Sequence, residues 1–194
     1  MKRAGVAFVH IPRTAGMSIT TTLYHRFLGH FPVEALLAVK DPALLALPRF
    51  TVVRDPWRRL ASAYHFALRG RGEGGMSADV APHVHRQIAA IPSFEHFVKD
   101  WLPQQDLMKL DGVLRPQVYY AVARDGTVPF DHVGRLEELS ATSDWLSNVL
   151  GRKIEFPRTN TSGPSERRDE FDPEMRDIVA RLYAEDVSRF GYRV

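Results

Sequence analysis

Two short apolar runs, each breaking into a polar turn that opens a helix, constrain this chain more than anything else in it. The first is Val6-Ala7-Phe8-Val9, followed by His10-Ile11-Pro12-Arg13-Thr14-Ala15-Gly16-Met17-Ser18. The second is Phe50-Thr51-Val52-Val53, followed by Arg54-Asp55-Pro56-Trp57-Arg58-Arg59-Leu60-Ala61-Ser62-Ala63-Tyr64. Unbroken apolar runs of this length read as strands buried on both faces. A strand, a tight turn and a helix, met twice, predict an α/β layer fold with a mainly parallel sheet flanked by helices. Each junction is also a place to hold an anion. The first turn of a helix carries unpaired N–H groups and the positive end of the helix dipole, and open α/β sheets bind ligands at the carboxyl ends of their strands.

The first junction adds the cation of Arg13, the hydroxyls of Thr14 and Ser18, and the small pair Ala15-Gly16. It is not a Walker A loop, which needs G-x-x-x-x-G-K-[ST]; only Gly16 is present here. In the second junction Asp55 is suited to cap a helix and Pro56 to occupy its first turn. Arg54 then stands at the end of the strand. Arg58 and Ser62 are four apart, as are Asp55 and Arg59, so each pair shares a helix face. A guanidinium and a hydroxyl at one crevice make a second phosphate site. Two anion sites on two junctions point to a ligand with two separated phosphate groups.

With these residues in view, the chain resembles the sulfotransferases that use 3'-phosphoadenosine 5'-phosphosulfate (PAPS), of the carbohydrate (heparan/chondroitin-type) group, sulfotransferase family 2. The first motif of that family reads roughly I-P-K-T-[AG]-[GST]-T-S, and His10 to Ser18 are similar to it. The second reads R-D-P-x-x-R-x-x-S-x-Y, and Arg54 to Tyr64 match every specified position. Arg115-Pro116-Gln117, Val133-Gly134-Arg135-Leu136-Glu137, Asn160-Thr161-Ser162 and the closing Tyr183, Asp186 and Phe190-Gly191-Tyr192 are also similar. The resemblance covers nearly the whole chain. It departs from the family at two positions: Arg13 replaces the usual lysine and Met17 the second threonine. A lysine is a compact point charge and an arginine a planar fork, so the contact to the bridging oxygen is altered. At Met17 a hydroxyl donor is lost and the backbone N–H kept.

The resemblance implies a P-loop-like three-layer fold, transfer of a sulfuryl group from PAPS to a hydroxyl, and PAP as product, with no metal. It implies that Arg13, Thr14, Ala15, Gly16, Met17 and Ser18 hold the donor's 5' side. Arg54 and Ser62 then hold its 3'-phosphate, and Arg158, Asn160 and Ser162 close over the 3'-phosphate or adenine. Arg135 and Glu137 flank the cleft or simply pair with each other. Trp57 packs the long helix or contacts adenine. Such chemistry also needs a base, and histidine, titrating near neutrality, suits it. The chain has eight histidines. His30, in Gly29-His30-Phe31-Pro32 between the two motifs, stands where carbohydrate sulfotransferases carry their base, and this sequence resembles the bacterial members. His30 and Arg13 are therefore the candidate catalytic residues. His65, one step past the Ser62 face, is the alternative base. His10 reads as a structural residue ending the first strand, and His25 and His132 as surface or packing residues. His83 and His85 lack the spaced partners of a metal site.

Composition sets limits. The 194 residues, 44% of them hydrophobic, suffice for one compact domain spanning 1–194. A net charge of +3 without a long basic run gives no footprint for nucleic acid. Absence of cysteine excludes disulfides, thiol nucleophiles and thiolate metal sites. With its first strand expected at about Val6, a chain native from Met1 has no leader, and the apolar stretch from Ala35 to Leu47 is broken by Lys40, Asp41 and Pro42. A cytoplasmic protein without a membrane span is expected, and the abundance of Arg and Ala suggests a GC-rich bacterium. Expected partners are PAPS and a hydroxyl acceptor, with glycan favoured over glycolipid, small metabolite or peptidyl tyrosine.

The pattern further predicts helices over Ser18 to Leu28, Pro56 to Arg69, Met76 to Ala90 (interrupted at Pro82), Ser93 to Trp101, Leu139 to Leu150 and Pro173 to Phe190. Val118 to Ala123 and Val128 to Val133 read as edge strands or loop, 102–116 as irregular, and Gly70 to Gly75 and Asn160 to Arg168 as mobile. Two other functions fit the same two junctions: a nucleotide-dependent phosphotransferase and a non-catalytic PAP- or PAPS-binding module. The missing Walker A pattern counts against the first. The Arg13 and Met17 replacements leave the second open.

Overall fold

The computed structural model describes residues 1–70, 80–157 and 170–193. In chain order its regular elements are β1 (Ala7–Val9), α1 (Gly16–Tyr24), α2 (Val33–Leu37), α3 (Pro42–Leu45), β2 (Arg49–Val53), α4 (Pro56–Arg69), α5 (Pro82–Ala89) and α6 (Phe94–His96). They continue with α7 (Val118–Ala121), β3 (His132–Arg135), α8 (Leu139–Leu150), α9 (Pro173–Leu182) and α10 (Ala184–Arg189). The three strands form one parallel sheet in the order β1-β2-β3. Ala7 pairs with Arg49 and Phe50 with His132. This is the α/β class expected from the two strand-turn-helix junctions. Among the described residues no helix is long and apolar enough to cross a membrane.

The chain divides into two compact units, Met1–Arg54 with Gln117–Asn160, and Asp55–Pro116 with Thr161–Val194. The first holds the sheet. β1 and β2 are buried along almost their whole length because helices supply apolar cover, whereas β3 is half-buried except at Gly134. Val6, Phe8, Phe50 and Val52 pack with Ile19 and Leu23 of α1 and Leu146 of α8. Phe8 and Phe50 stack across β1 and β2 with ring centroids 4.7 Å apart. Each such buried side chain contributes about 1.5–3 kcal/mol over its exposed state. Thr51, fully buried in β2, remains tolerable because its hydroxyl donates to the Val9 carbonyl at 2.9 Å. Gly134 in β3 is required by close approach: a Cβ there would lie 2.0 Å from Thr142 Oγ1 of α8.

The second unit is built on α4. Asp55 caps it by accepting from the Arg58 N–H at 3.0 Å, and Pro56 occupies the first turn. Trp57, Leu60, Ala61, Tyr64 and Ala67 recur at helical spacing on its buried side and pack with Phe97, Leu102, Leu114 and Phe171. The Tyr183 hydroxyl, raised in pKa chiefly by burial, donates to the Leu114 carbonyl at 2.8 Å. Ser93 caps α6, accepting from the His96 N–H at 3.2 Å, and the chain continues as a π-helical turn over Phe97–Trp101. Asp172 caps α9 by accepting from the Met175 N–H at 2.8 Å.

Several expectations need correction. α1 starts and stops earlier than Ser18 to Leu28, ending at His25, whose φ of 56° is left-handed. Val118 to Ala121 is helix, not strand, because α7 packs on α2 in the sheet unit. The third strand lies at His132–Arg135 instead of 128–133. Pro82 does not interrupt a helix but starts one, at the first position where a missing N–H costs nothing. The final helix is two, separated at Tyr183. The expected mobile segments at 71–75 and 160–168 lie outside the described residues, as do the Met76 to Asp79 part of α5's expected span, Arg158 and Ser162.

Candidate active site

The loop between β1 and α1 has an unusual backbone. Arg13 has φ 69° and Ala15 φ 62°, whereas Thr14 between them does not share that hand. Left-handed conformation at a residue with a Cβ costs about 1–2 kcal/mol. Backbone that alternates hand in this way turns successive N–H groups into one concavity, an anion-binding nest. Ala15 is the N-cap of α1 and supplies no side-chain cap, so the helix opens with Gly16, Met17 and Ser18 lacking an acceptor inside the helix. The two left-handed residues stand directly before the first turn of α1. The strain is local and lies at the positive end of the α1 dipole.

Side chains fix this shape. Thr14 is fully buried and its hydroxyl donates to the Ile11 carbonyl at 2.8 Å, so its proton is committed within the loop. Thr20 donates to the Gly16 carbonyl at 2.7 Å. Ser18 is buried and Met17 and Arg13 are half-buried. Gly16 is demanded by packing: a Cβ on it would meet His10 Nε2 and Cδ2 at 1.8 Å. The imidazole of His10 therefore lies directly on the first turn of α1.

Arg54 ends β2 and is only 7% exposed. Its Nη1 donates to the Arg13 carbonyl at 3.3 Å, bringing the two junctions together within the sheet unit. Its backbone is clamped by Gln117, which is fully buried. The Arg54 N–H donates to Gln117 Oε1 at 2.8 Å, and Gln117 Nε2 donates to the Arg54 carbonyl at 2.8 Å. The side-chain amide substitutes for a neighbouring strand where the sheet has run out. Sequence reasoning quoted Gln117 only as part of a weak motif and gave it no role.

His30 is exposed, on the irregular segment between α1 and α2. Its ring lies 4.3 Å from that of His10, tilted by 55°, and 5.2 Å from Phe27. His10 is 2% exposed, and its Nδ1 has no hydrogen-bond partner among the described residues. Burial, with His30 and then Arg13 as nearby cationic groups, holds the His10 pKa well below the ordinary histidine value. The loop, Arg54 and His30 thus belong to one connected arrangement, with His10 at its centre. His10, read from sequence as a structural residue ending the first strand, is buried directly after β1, and its ring contact with His30 is what the sequence did not reveal.

The remaining candidates belong to other elements. Ser62 is fully buried on α4 of the second unit, whereas Arg58 of the same helix is exposed. Arg59 is buried and donates to the Arg115 carbonyl at 2.9 Å, which makes it a brace for the 113–115 segment. Trp57 is 1% exposed with Nε1 donating to the Arg176 carbonyl at 3.2 Å, which fits core packing. His65 is half-buried, edge-on to Tyr64, with Nε2 3.8 Å from Glu170 Oε2. His132 stacks on Trp145 and contacts Thr142 Oγ1 at 3.0 Å. Among the described residues no three His, Asp or Glu side chains gather where they could hold a metal ion.

The family model described as the sulfotransferase family matches residues 38–193. That range includes β2, Arg54 and α4 and begins after the β1–α1 loop. No curated protein and no solved structure matches the chain.

Proposed function

The chain belongs to the sulfotransferase family, and we propose that it transfers the sulfuryl group of PAPS to a hydroxyl of a carbohydrate or glycoconjugate, with His30 as general base. The observation that carries this reading is the contact between the two junctions, Arg54 Nη1 to the Arg13 carbonyl, beside a loop with two left-handed residues. The family match does not extend to that loop, so its assignment rests on its backbone and on its likeness to the first sulfotransferase motif.

In this reading the N–H groups of Gly16 and Met17 and the Arg13 guanidinium receive the donor's 5' phosphosulfate, and Arg54 receives its 3'-phosphate. Ser62, Arg158 and Ser162 are assigned to the donor by the resemblance alone, as is the treatment of 1–194 as one sulfotransferase domain. His30 takes the proton of the acceptor hydroxyl while that oxygen forms its bond to sulfur. The bond from sulfur to the bridging phosphate oxygen breaks, that oxygen keeps the electron pair, and Arg13 offsets the charge left on it. Fixed cations and dipoles aimed at developing charge are the main source of rate in such transfers.

Calorimetry without added metal, comparing PAP, AMP and ATP, tests the donor site. PAP binding preferentially is expected; equal affinity for PAP and AMP overturns the assignment of Arg54. Transfer of labelled sulfate to oligosaccharides and to tyrosine peptides then tests the acceptor class.

A further inference from the structure

His10 raises a question that packing does not answer. Its neighbours include Phe8, whose ring is stacked at 5.7 Å, and Phe27, edge-on at 5.6 Å. In such a setting a phenyl ring satisfies every contact, and a buried nitrogen without a partner is a cost. The titratable or charged groups that act on it are His30, on the segment after α1, and Arg13, on its own loop. Of these, His30 is the one in ring contact.

We infer that His10 is a positioning residue for His30: its buried imidazole holds the neighbouring ring in place and keeps Nδ1 in reserve as an acceptor for the N–H that His30 carries once it has taken a proton. This rests on the reading of His30 as the base. A base aligned by a second group is the usual form of such pairs. Burial favours the uncharged state of His10 and so leaves a lone pair on one ring nitrogen. Gly16 completes the device. Its missing side chain lets His10 rest on the turn that opens α1, so the anion loop and the base are registered against the same ring.

Two substitutions separate the nitrogen from the ring. His10→Phe keeps shape and removes the acceptor; His10→Asn keeps an acceptor near the Nδ1 position. His10→Phe is expected to fold and to bind PAP within twofold of the parent. Its kcat falls about 10- to 100-fold with KM for the acceptor unchanged, the scale of a misplaced catalytic group. His10→Asn recovers most of that loss, and adding His10→Phe to His30→Ala causes no further loss. Undiminished kcat in His10→Phe, no recovery in His10→Asn, or losses that multiply would each overturn the inference. If His10→Phe does not fold, His10→Leu takes its place. If His30→Ala itself turns over normally, the base assignment has failed, and the ¹⁵N shifts of the His30 ring decide the contact separately. They change between parent and His10→Phe if the inference holds and stay the same if it does not.

Discussion

The side-chain amide of Gln117 and the backbone of Arg54 exchange two hydrogen bonds, both 2.8 Å, although the residues are far apart in sequence. The pair closes the end of β2 at the point where a cation is presented. Gln117→Leu leaves a buried N–H and a buried carbonyl unpaired, at a cost of about 1–3 kcal/mol for each. Urea unfolding is expected to show that loss, and PAP calorimetry a weaker complex, because the Arg54 guanidinium is no longer fixed from behind. Unchanged stability would mean that water replaces the amide.

Arg13 distinguishes binding from rate. If its guanidinium offsets charge on the departing phosphate, Arg13→Ala lowers turnover more than PAP affinity, and Arg13→Lys keeps substantial activity. Steady-state kinetics beside calorimetry measures both. Equal losses in the two would make Arg13 an ordinary binding cation.

General-base removal typically costs about 10²–10⁴-fold in rate. His30→Ala is expected to lose that much turnover while still binding PAP, and to lose the acidic limb of its pH profile. His65→Ala, on the same acceptor, is expected near the parent. The reverse outcome moves the base to α4.

Acid should weaken the fold through His10. Its pKa in the folded protein lies below 6.5, the ordinary value it regains on unfolding. The unfolded chain therefore binds more protons once the pH drops below about 6.5, so stability is full above that point and declines beneath it, by up to about 1.4 kcal/mol per pH unit for one group. His132, lowered by burial, acts with the same sign. Urea melts from pH 8 to 5 should show the decline, and His10→Phe should flatten part of it. An unaltered slope in that variant assigns the effect elsewhere.

Gly16→Ala forces a Cβ into the His10 ring. Overpacking of this kind typically costs about 1–3 kcal/mol. Thermal melts should show it, and His30→Ala in the same background should cost less turnover than it does alone, because the ring contact is already disturbed.

What could be read from sequence was local chemistry. Asp55 and Pro56 announce α4, and Asp172 and Pro173 announce α9, because a cap and a first-turn proline act within a few residues. The failures were of tertiary origin. Val118-Tyr119-Tyr120-Ala121 carries strand-forming residues, yet it is a helix, packed on α2 and preceded by the Gln117 clamp. Phe27 and Leu28 continue the apolar spacing of α1, but Phe27 instead serves the ring cluster of His10 and His30 after the left-handed His25. The loop between β1 and α1 was legible as a turn into a helix, since its residue types announce one. The contact between His10 and His30 was not, because nothing in either neighbourhood points to the other.

The order β1-β2-β3 also governs how the chain is made. Phe50 pairs with His132, so β2 leaves the ribosome long before its second partner exists. Until then one edge of that strand, Phe50 to Val53, offers unpaired N–H and carbonyl groups in an apolar setting. Such late, non-local closure slows folding and exposes a nascent chain to association. Synthesis rate and chaperone supply, more than the finished protein's stability, should govern how much of it accumulates.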